Sequence, residues 1–193
     1  LCLFSNYRIV VIGEANDNLL KVKDQILIEK DLHKIMSQYQ FDVVFDFLND
    51  DWYDLIKDHK ALYIKFSNKS LKYDILIRCS ICYGPRLSDH KISNWITNAL
   101  NQNFLYVNQS NILNLVYIDD VCEAIIKIFH FGKKNHVYTI TGQNQKEIDF
   151  TRLILRKLEL PMTFVEYIDS DLNEQFDICK NLQNLGWRQK VNI

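Results

Sequence analysis

Apolar positions in this chain fall into short runs whose spacing switches between that of strands and that of helices. Residues 8–12 (RIVVI) form an almost continuous apolar run ended by Gly13, as expected of a strand covered on both faces. Residues 25–28 suggest a second short strand. Asp31 then stands where a helix N-cap belongs, and Leu32, Ile35, Met36 and Tyr39 follow at the spacing of one helical face. Residues 41–47 (FDVVFDF) predict the next strand. From 51 to 67, Trp52, Leu55, Ile56, Leu62, Tyr63 and Phe66 give an apolar stripe, and a helix is expected there.

The stretch 72–85 (KYDILIRCSICYGP) organises what comes before and after it. Residues 73–77 predict a fully buried strand. Pro85 has no N–H for a ladder and Gly84 allows unusual backbone angles, so the chain must leave the sheet there. In open α/β sheets ligands sit just beyond the carboxyl ends of the strands, where Tyr83, Gly84 and Pro85 fall. Further along, helices are expected over 92–100, 121–131, 150–158 and 176–185. Strands are expected over 104–107, 115–118, 137–140 and 164–167. Asp120 is placed to cap the 121–131 helix and Gly132 to stop it. Trp187 is expected to close the core near the end. The alternation of strand and helix predicts an α/β fold with a doubly wound parallel sheet.

Composition narrows the partners. With 193 residues, 48% hydrophobic, 24% charged and a net charge of −1, the chain has an ordinary globular make-up. That balance offers no electrostatic basis for binding nucleic acid or an anionic membrane. No apolar run approaches the roughly 20 residues that span a bilayer. The first residues lack the basic and small-residue signature of a signal peptide. Five cysteines at irregular spacing point to reduced thiols and a cytoplasmic setting.

Chemistry-bearing patterns are few. A dinucleotide-binding strand–turn–helix places G-x-G-x-x-G after its first strand, so that bare backbone can meet a pyrophosphate. Here Gly13 is followed by E-A-N-D-N-L, and its acidic residues repel phosphate. Tyr53 and Lys57 are four apart, so on a helix they share a face, and the ammonium can lower the phenol's pKa as a general base requires. Without context this spacing more often marks a solvated helix face. Cys79 and Cys82 form a C-x-x-C, but no second pair supports zinc, and no helix opens at it as in a thioredoxin motif. Buried strand cysteines are the simpler expectation. The five histidines show no ligand spacing, and Asp119-Asp120 reads as a strand end plus cap rather than a metal pair.

Four segments, taken in order, resemble the extended short-chain dehydrogenase/reductase family of NAD-dependent epimerases and dehydratases, its dTDP-glucose 4,6-dehydratase branch above all. R-C-S-I-C-Y-G-P (78–85) is similar to that family's R-C-S-N-N-Y-G-P. L-V-Y-I-D-D (115–120) with Ala124 is similar to its W-L-Y-V-x-D…A. V-Y-T-I-T-G (137–142) is similar to its Y-N-I-G-G strand, and 177–187 to its D…K…L-G-W close. The resemblance implies a shortened Rossmann-like sheet over 1–85, to which 108–142 contributes, and a smaller substrate domain from 86–107 and 143–193. It implies NAD as cofactor and a nucleotide sugar as substrate. Tyr53 falls on the catalytic tyrosine, acid/base for hydride transfer at the sugar C4 hydroxyl, and Lys57 on the lysine that binds the nicotinamide ribose. Gly13 and Tyr83 fall to the cofactor, Lys91 to the sugar and Tyr106 to the nucleotide base. The family also forms dimers through helices of its first domain.

The chain departs from that pattern in specific places. Between Phe47 and Trp52 the family carries two helices, a strand and an S-T-D-E segment whose carboxylates do the acid/base work of dehydration. A second shortening lies between Gly13 and Asp24. Leu113 and Asn173 stand where arginines hold the diphosphate, and Ile81 and Cys82 where asparagines precede the tyrosine. A diphosphate clamp relies on charge-assisted arginine contacts, so their replacement weakens it. Two expectations follow: a degenerate nucleotide-sugar enzyme, or an inactive relative that serves as an interaction or structural subunit. The two shortenings also suit a chain that joins segments of a longer protein.

Overall fold

In the computed structural model the described residues are 9–12, 26–29, 31–47, 52–69, 72–85, 87, 91–168 and 180–193. Gly13, Asp24 and Asn173 lie outside them. The chain divides into two units, Leu1–Val44 with Trp52–Leu62, and Phe45–Asp51 with Tyr63–Ile193.

In the first unit, β1 (Ile9–Ile12) pairs in parallel with β2 (Ile26–Glu29), Ile9 opposite Ile26. The predicted helix start is observed: Asp31 accepts the Lys34 N–H at 3.1 Å, and α1 (Leu32–Gln38) buries Ile35 and Met36. A short helix, α2 (Tyr53–Ile56), continues as a 3-10 turn over Lys57–His59.

The helix expected over 51–67 is corrected. Lys60 takes a left-handed conformation with φ of 57°, which ends the helical turn. The chain then forms β4 (Leu62–Phe66). Three successive residues there, Tyr63, Ile64 and Lys65, are buried. A one-sided helix cannot bury three in a row, whereas a strand inside a sheet can. The helical spacing of Leu62, Tyr63 and Phe66 was a coincidence of a doubly covered strand.

A four-stranded sheet, most of whose residues belong to the second unit, has the order β3-β4-β5-β9, with β3 at Val43–Asp46, β5 at Ile75–Cys79 and β9 at His136–Ile140. β5 runs parallel to both β4 and β9, and its Ile75, Leu76 and Ile77 are buried. A second sheet has the order β10-β8-β6, from β6 (Ile81–Tyr83), β8 (Ile112–Tyr117) and β10 (Gln143–Lys146). β7 (Leu105–Val107) and β11 (Val165–Tyr167) make a parallel pair. Helices α3 (Lys91–Leu100), α4 (Ile118–Phe131), α5 (Glu147–Lys157) and α6 (Lys180–Asn184) complete the described residues. Trp95 of α3, Leu105 of β7, Leu115 of β8 and Leu155 of α5 meet in one apolar cluster. Burying side chains of this size contributes about 1.5–3 kcal/mol each.

Two details of α4 differ in outcome. Gly132 stops it as expected, its N–H reaching the Ile128 carbonyl at 2.7 Å. Asp120 is not its cap. The helix begins at Ile118 after Tyr117, and the buried Asp120 carboxylate instead accepts the N–H groups of Lys190 and Val191 at 3.1 and 3.0 Å. Trp187 is buried as expected, its indole donating to the Asp120 carbonyl at 2.9 Å. No helix among the described residues is long and apolar enough to cross a membrane.

Candidate functional site

The carboxyl ends of β5 and β9 lie side by side, Cys79 opposite Ile140. At Ser80 the chain passes from the four-stranded sheet into β6 of the second sheet, and the Ser80 N–H donates to the Ile140 carbonyl at 3.0 Å. Ser80 is 5% exposed, yet its hydroxyl has no hydrogen-bond partner among the described residues, and the buried Arg78 Nε also lacks one there. An unpaired buried polar group costs about 1–3 kcal/mol. Both groups lie at the edge where α/β sheets take their ligands.

Tyr83 follows in β6. Its ring packs edge-on against Tyr117 at 5.4 Å and Phe150 at 6.4 Å. Burial, and then the Asp120 carboxylate and Tyr117, raise its pKa, so the hydroxyl stays protonated and is a donor at neutral pH. Gly84 takes a φ of 144°, and a Cβ there would come within 2.6 Å of the Ile118 side chain, so this turn admits only glycine.

Lys91 opens α3 and reaches Glu147, the first residue of α5, at 2.7 Å. Glu147 is fully buried and also accepts the Asn108 N–H at 2.9 Å and the Asn111 amide at 2.6 Å. A buried carboxylate with three donors is well compensated. Lys91 remains 38% exposed along its side chain and lies 5.0 Å over the Trp95 ring. Tyr106 is exposed in β7, and its carbonyl accepts the Trp95 indole at 3.3 Å. The first turn of α5 thus touches both Lys91, through Glu147, and Tyr83, through Phe150.

Tyr53 and Lys57 belong to the first unit, and Tyr83, Lys91 and Tyr106 to the second. Their spacing is helical, the Lys57 N–H bonding the Tyr53 carbonyl. The Lys57 ammonium reaches Asp54 at 2.8 Å, a contact that raises its pKa and keeps it charged. The resemblance puts a strand and its carboxylates ahead of this tyrosine. In the structure, the strand between β3 and β5 in the sheet is β4, and it follows Lys57. Tyr53 and Lys57 thus precede β4 in the chain. Gly13 lies outside the described residues.

Cys79 and Cys82 are half-buried, with their sulfurs 3.3 Å apart. Among the described residues no group of three or more His, Cys, Asp or Glu is placed to hold a metal ion. Sequence reasoning passed over Ser80, Glu147 and a buried cluster in which Asp46 accepts both the Tyr63 hydroxyl and, at 2.8 Å, the Lys65 ammonium. A charged residue inside the apolar runs FDVVFDF and LYIKF was the one available sign of that cluster.

The model of the NAD dependent epimerase/dehydratase family matches residues 63–141. Over these residues the chain resembles that family. Over 126 residues, 61% of this chain, it is 31% identical to a trifunctional UDP-glucose 4,6-dehydratase/UDP-4-keto-6-deoxy-D-glucose 3,5-epimerase/UDP-4-keto-L-rhamnose-reductase of Arabidopsis thaliana. The match spans 19% of that relative, so the chain covers a minor part of its length. The fold is similar to that of dTDP-glucose 4,6-dehydratase from Bacillus anthracis in complex with NAD, with a TM-score of 0.83, 17% identity, and coverage of 98% of this chain and 85% of that one. It is also similar to UDP-glucose 4-epimerase from Thermotoga maritima with UDP-glucose, with a TM-score of 0.76, 14% identity, and coverage of 97% and 87%. These likenesses establish a Rossmann-like α/β fold.

Proposed function

We propose that this chain is a degenerate nucleotide-sugar enzyme of the dehydratase/epimerase type, which binds NAD and a nucleoside diphosphate sugar with the carboxyl ends of β5 and β9 as its floor. The unpaired Ser80 hydroxyl, buried at that edge, carries the reading. A polar ligand gives it the partner that folding withholds, and Arg78 Nε is supplied in the same way. The described residues fit a nicotinamide dinucleotide to that extent. Tyr83, held protonated, donates a hydrogen bond to the cofactor. Lys91 keeps part of its side chain exposed while Glu147 fixes the position of its ammonium, which would meet an anionic ligand. Tyr106, exposed in β7, offers a ring for the base to stack on. NAD, when bound, supplies the hydride acceptor. Tyr53 and Lys57 are the candidates for acid/base work and ribose binding.

A second reading, binding without turnover, is favoured by the place of β4 after Lys57 and by the Lys57–Asp54 ion pair. Calorimetry with NAD, then with dTDP-glucose or UDP-glucose added, combined with an assay for 4-keto sugar, separates the two. Binding with product supports the enzyme, and binding without product supports the second reading. A folded protein that gives no heat with any of these ligands overturns both.

A further inference from the structure

The C-x-x-C at the end of β5 stands apart from the ligand reading, since neither sulfur is assigned to the ligand. Residues three apart along an extended strand point their side chains to opposite faces and lie too far apart to meet. Here Ser80 interrupts the run: β5 ends at Cys79, β6 begins at Ile81 in a different sheet, and the bend brings the Cys79 and Cys82 sulfurs to 3.3 Å. A disulfide needs about 2.05 Å, so closure asks for a shift of little more than 1 Å. Both residues are half-buried, so neither is sealed inside the core. The geometry points to Cys79 and Cys82 as a redox-active dithiol that closes to a disulfide by exchange with a low-molecular-weight disulfide.

The steps balance. The Cys82 thiolate attacks one sulfur of the oxidant, forming a mixed disulfide and releasing one thiolate, which takes up a proton. Cys79 then gives up its proton and attacks Cys82 Sγ, forming the Cys79–Cys82 bond and releasing the second thiol. The protein dithiol is oxidised and the small disulfide is reduced to two thiols. The order follows from the contact between the sulfurs. The hydrogen bond between the two sulfurs holds the Cys82 thiol below its ordinary pKa, while the same bond, and then burial, push Cys79 up.

The test uses the folded wild-type chain and oxidised glutathione. Trypsin, cutting after Arg78 and Arg86, releases residues 79–86 with both cysteines on one peptide. After oxidation, that peptide should lose two hydrogens in mass and lose both sites of N-ethylmaleimide labelling, and dithiothreitol should restore them. In Cys79→Ser, a glutathione adduct should persist on Cys82. Wild-type protein in which both cysteines stay open to labelling overturns the inference. So does a glutathione adduct that never closes, or a disulfide to a cysteine outside this peptide.

Discussion

Lys91 and Glu147, 56 residues apart in sequence, meet at 2.7 Å with the carboxylate fully buried and the lysine partly open to solvent. The pair joins the first residues of α3 and α5. The same carboxylate takes the Asn108 N–H and the Asn111 amide, so one side chain fixes two helices and the turn between β7 and β8.

Removing that carboxylate strands all three donors. Glu147→Ala should destabilise the protein by about 3–5 kcal/mol, the range for breaking a buried pair. Glu147→Gln keeps the shape and part of the bonding and should cost about 1–3 kcal/mol. Urea unfolding midpoints would rank the two. Equal, small losses would mean that the network contributes little.

Ser80 behaves in the opposite way. Its hydroxyl is buried without a partner, so Ser80→Ala removes an unmet group and should raise stability by about 1 kcal/mol. The same change should weaken binding of NAD or of the nucleotide sugar. A stabilised variant with unchanged affinity would detach Ser80 from the ligand.

Asp120 holds the end of the chain through its side chain. Asp120→Ala frees the Lys190 and Val191 N–H groups and should cost about 1.5–3 kcal/mol, as hydrogen bonds to a charged group do. Hydrogen exchange should speed up at those two amides. Unchanged protection there would contradict the assigned bonds.

Lys57 is solvent-exposed and pairs locally with Asp54. Lys57→Ala should leave the unfolding midpoint where it is, because exposed pairs of this kind contribute little. A loss of cofactor binding in that well-folded variant would give Lys57 its proposed role; unaltered binding would remove it.

Much of the fold was legible because its signals are local. The α3 stripe, the Asp31 cap and the Gly132 stop each depend on neighbours within a turn, and the structure has all three. β4 was misread because burial on both faces erases period-two alternation, and a left-handed Lys60 leaves no mark in sequence. β10 was missed for the reverse reason: Q-N-Q-K is wholly polar and forms a strand only because β8 pairs with it. The Asp120 carboxylate suggested a cap, but its partners are 70 and 71 residues away, beyond any local rule. Glu147 and Ser80 were hidden likewise, since what matters about each is the presence or lack of distant partners.

The chain leaves the four-stranded sheet for the three-stranded one twice, at Ser80 after β5 and at Gly142 after β9, and β5 and β9 are neighbours. At Gly142 a Cβ would fall 1.7 Å from the Leu115 carbonyl oxygen, so main chain rests on main chain at that crossing. The seam is stitched by two adjacent threads. A single nick in one of them leaves the other to hold the sheets together, and a pulling force applied to β6 or β10 is passed to a different strand of the same parallel pair.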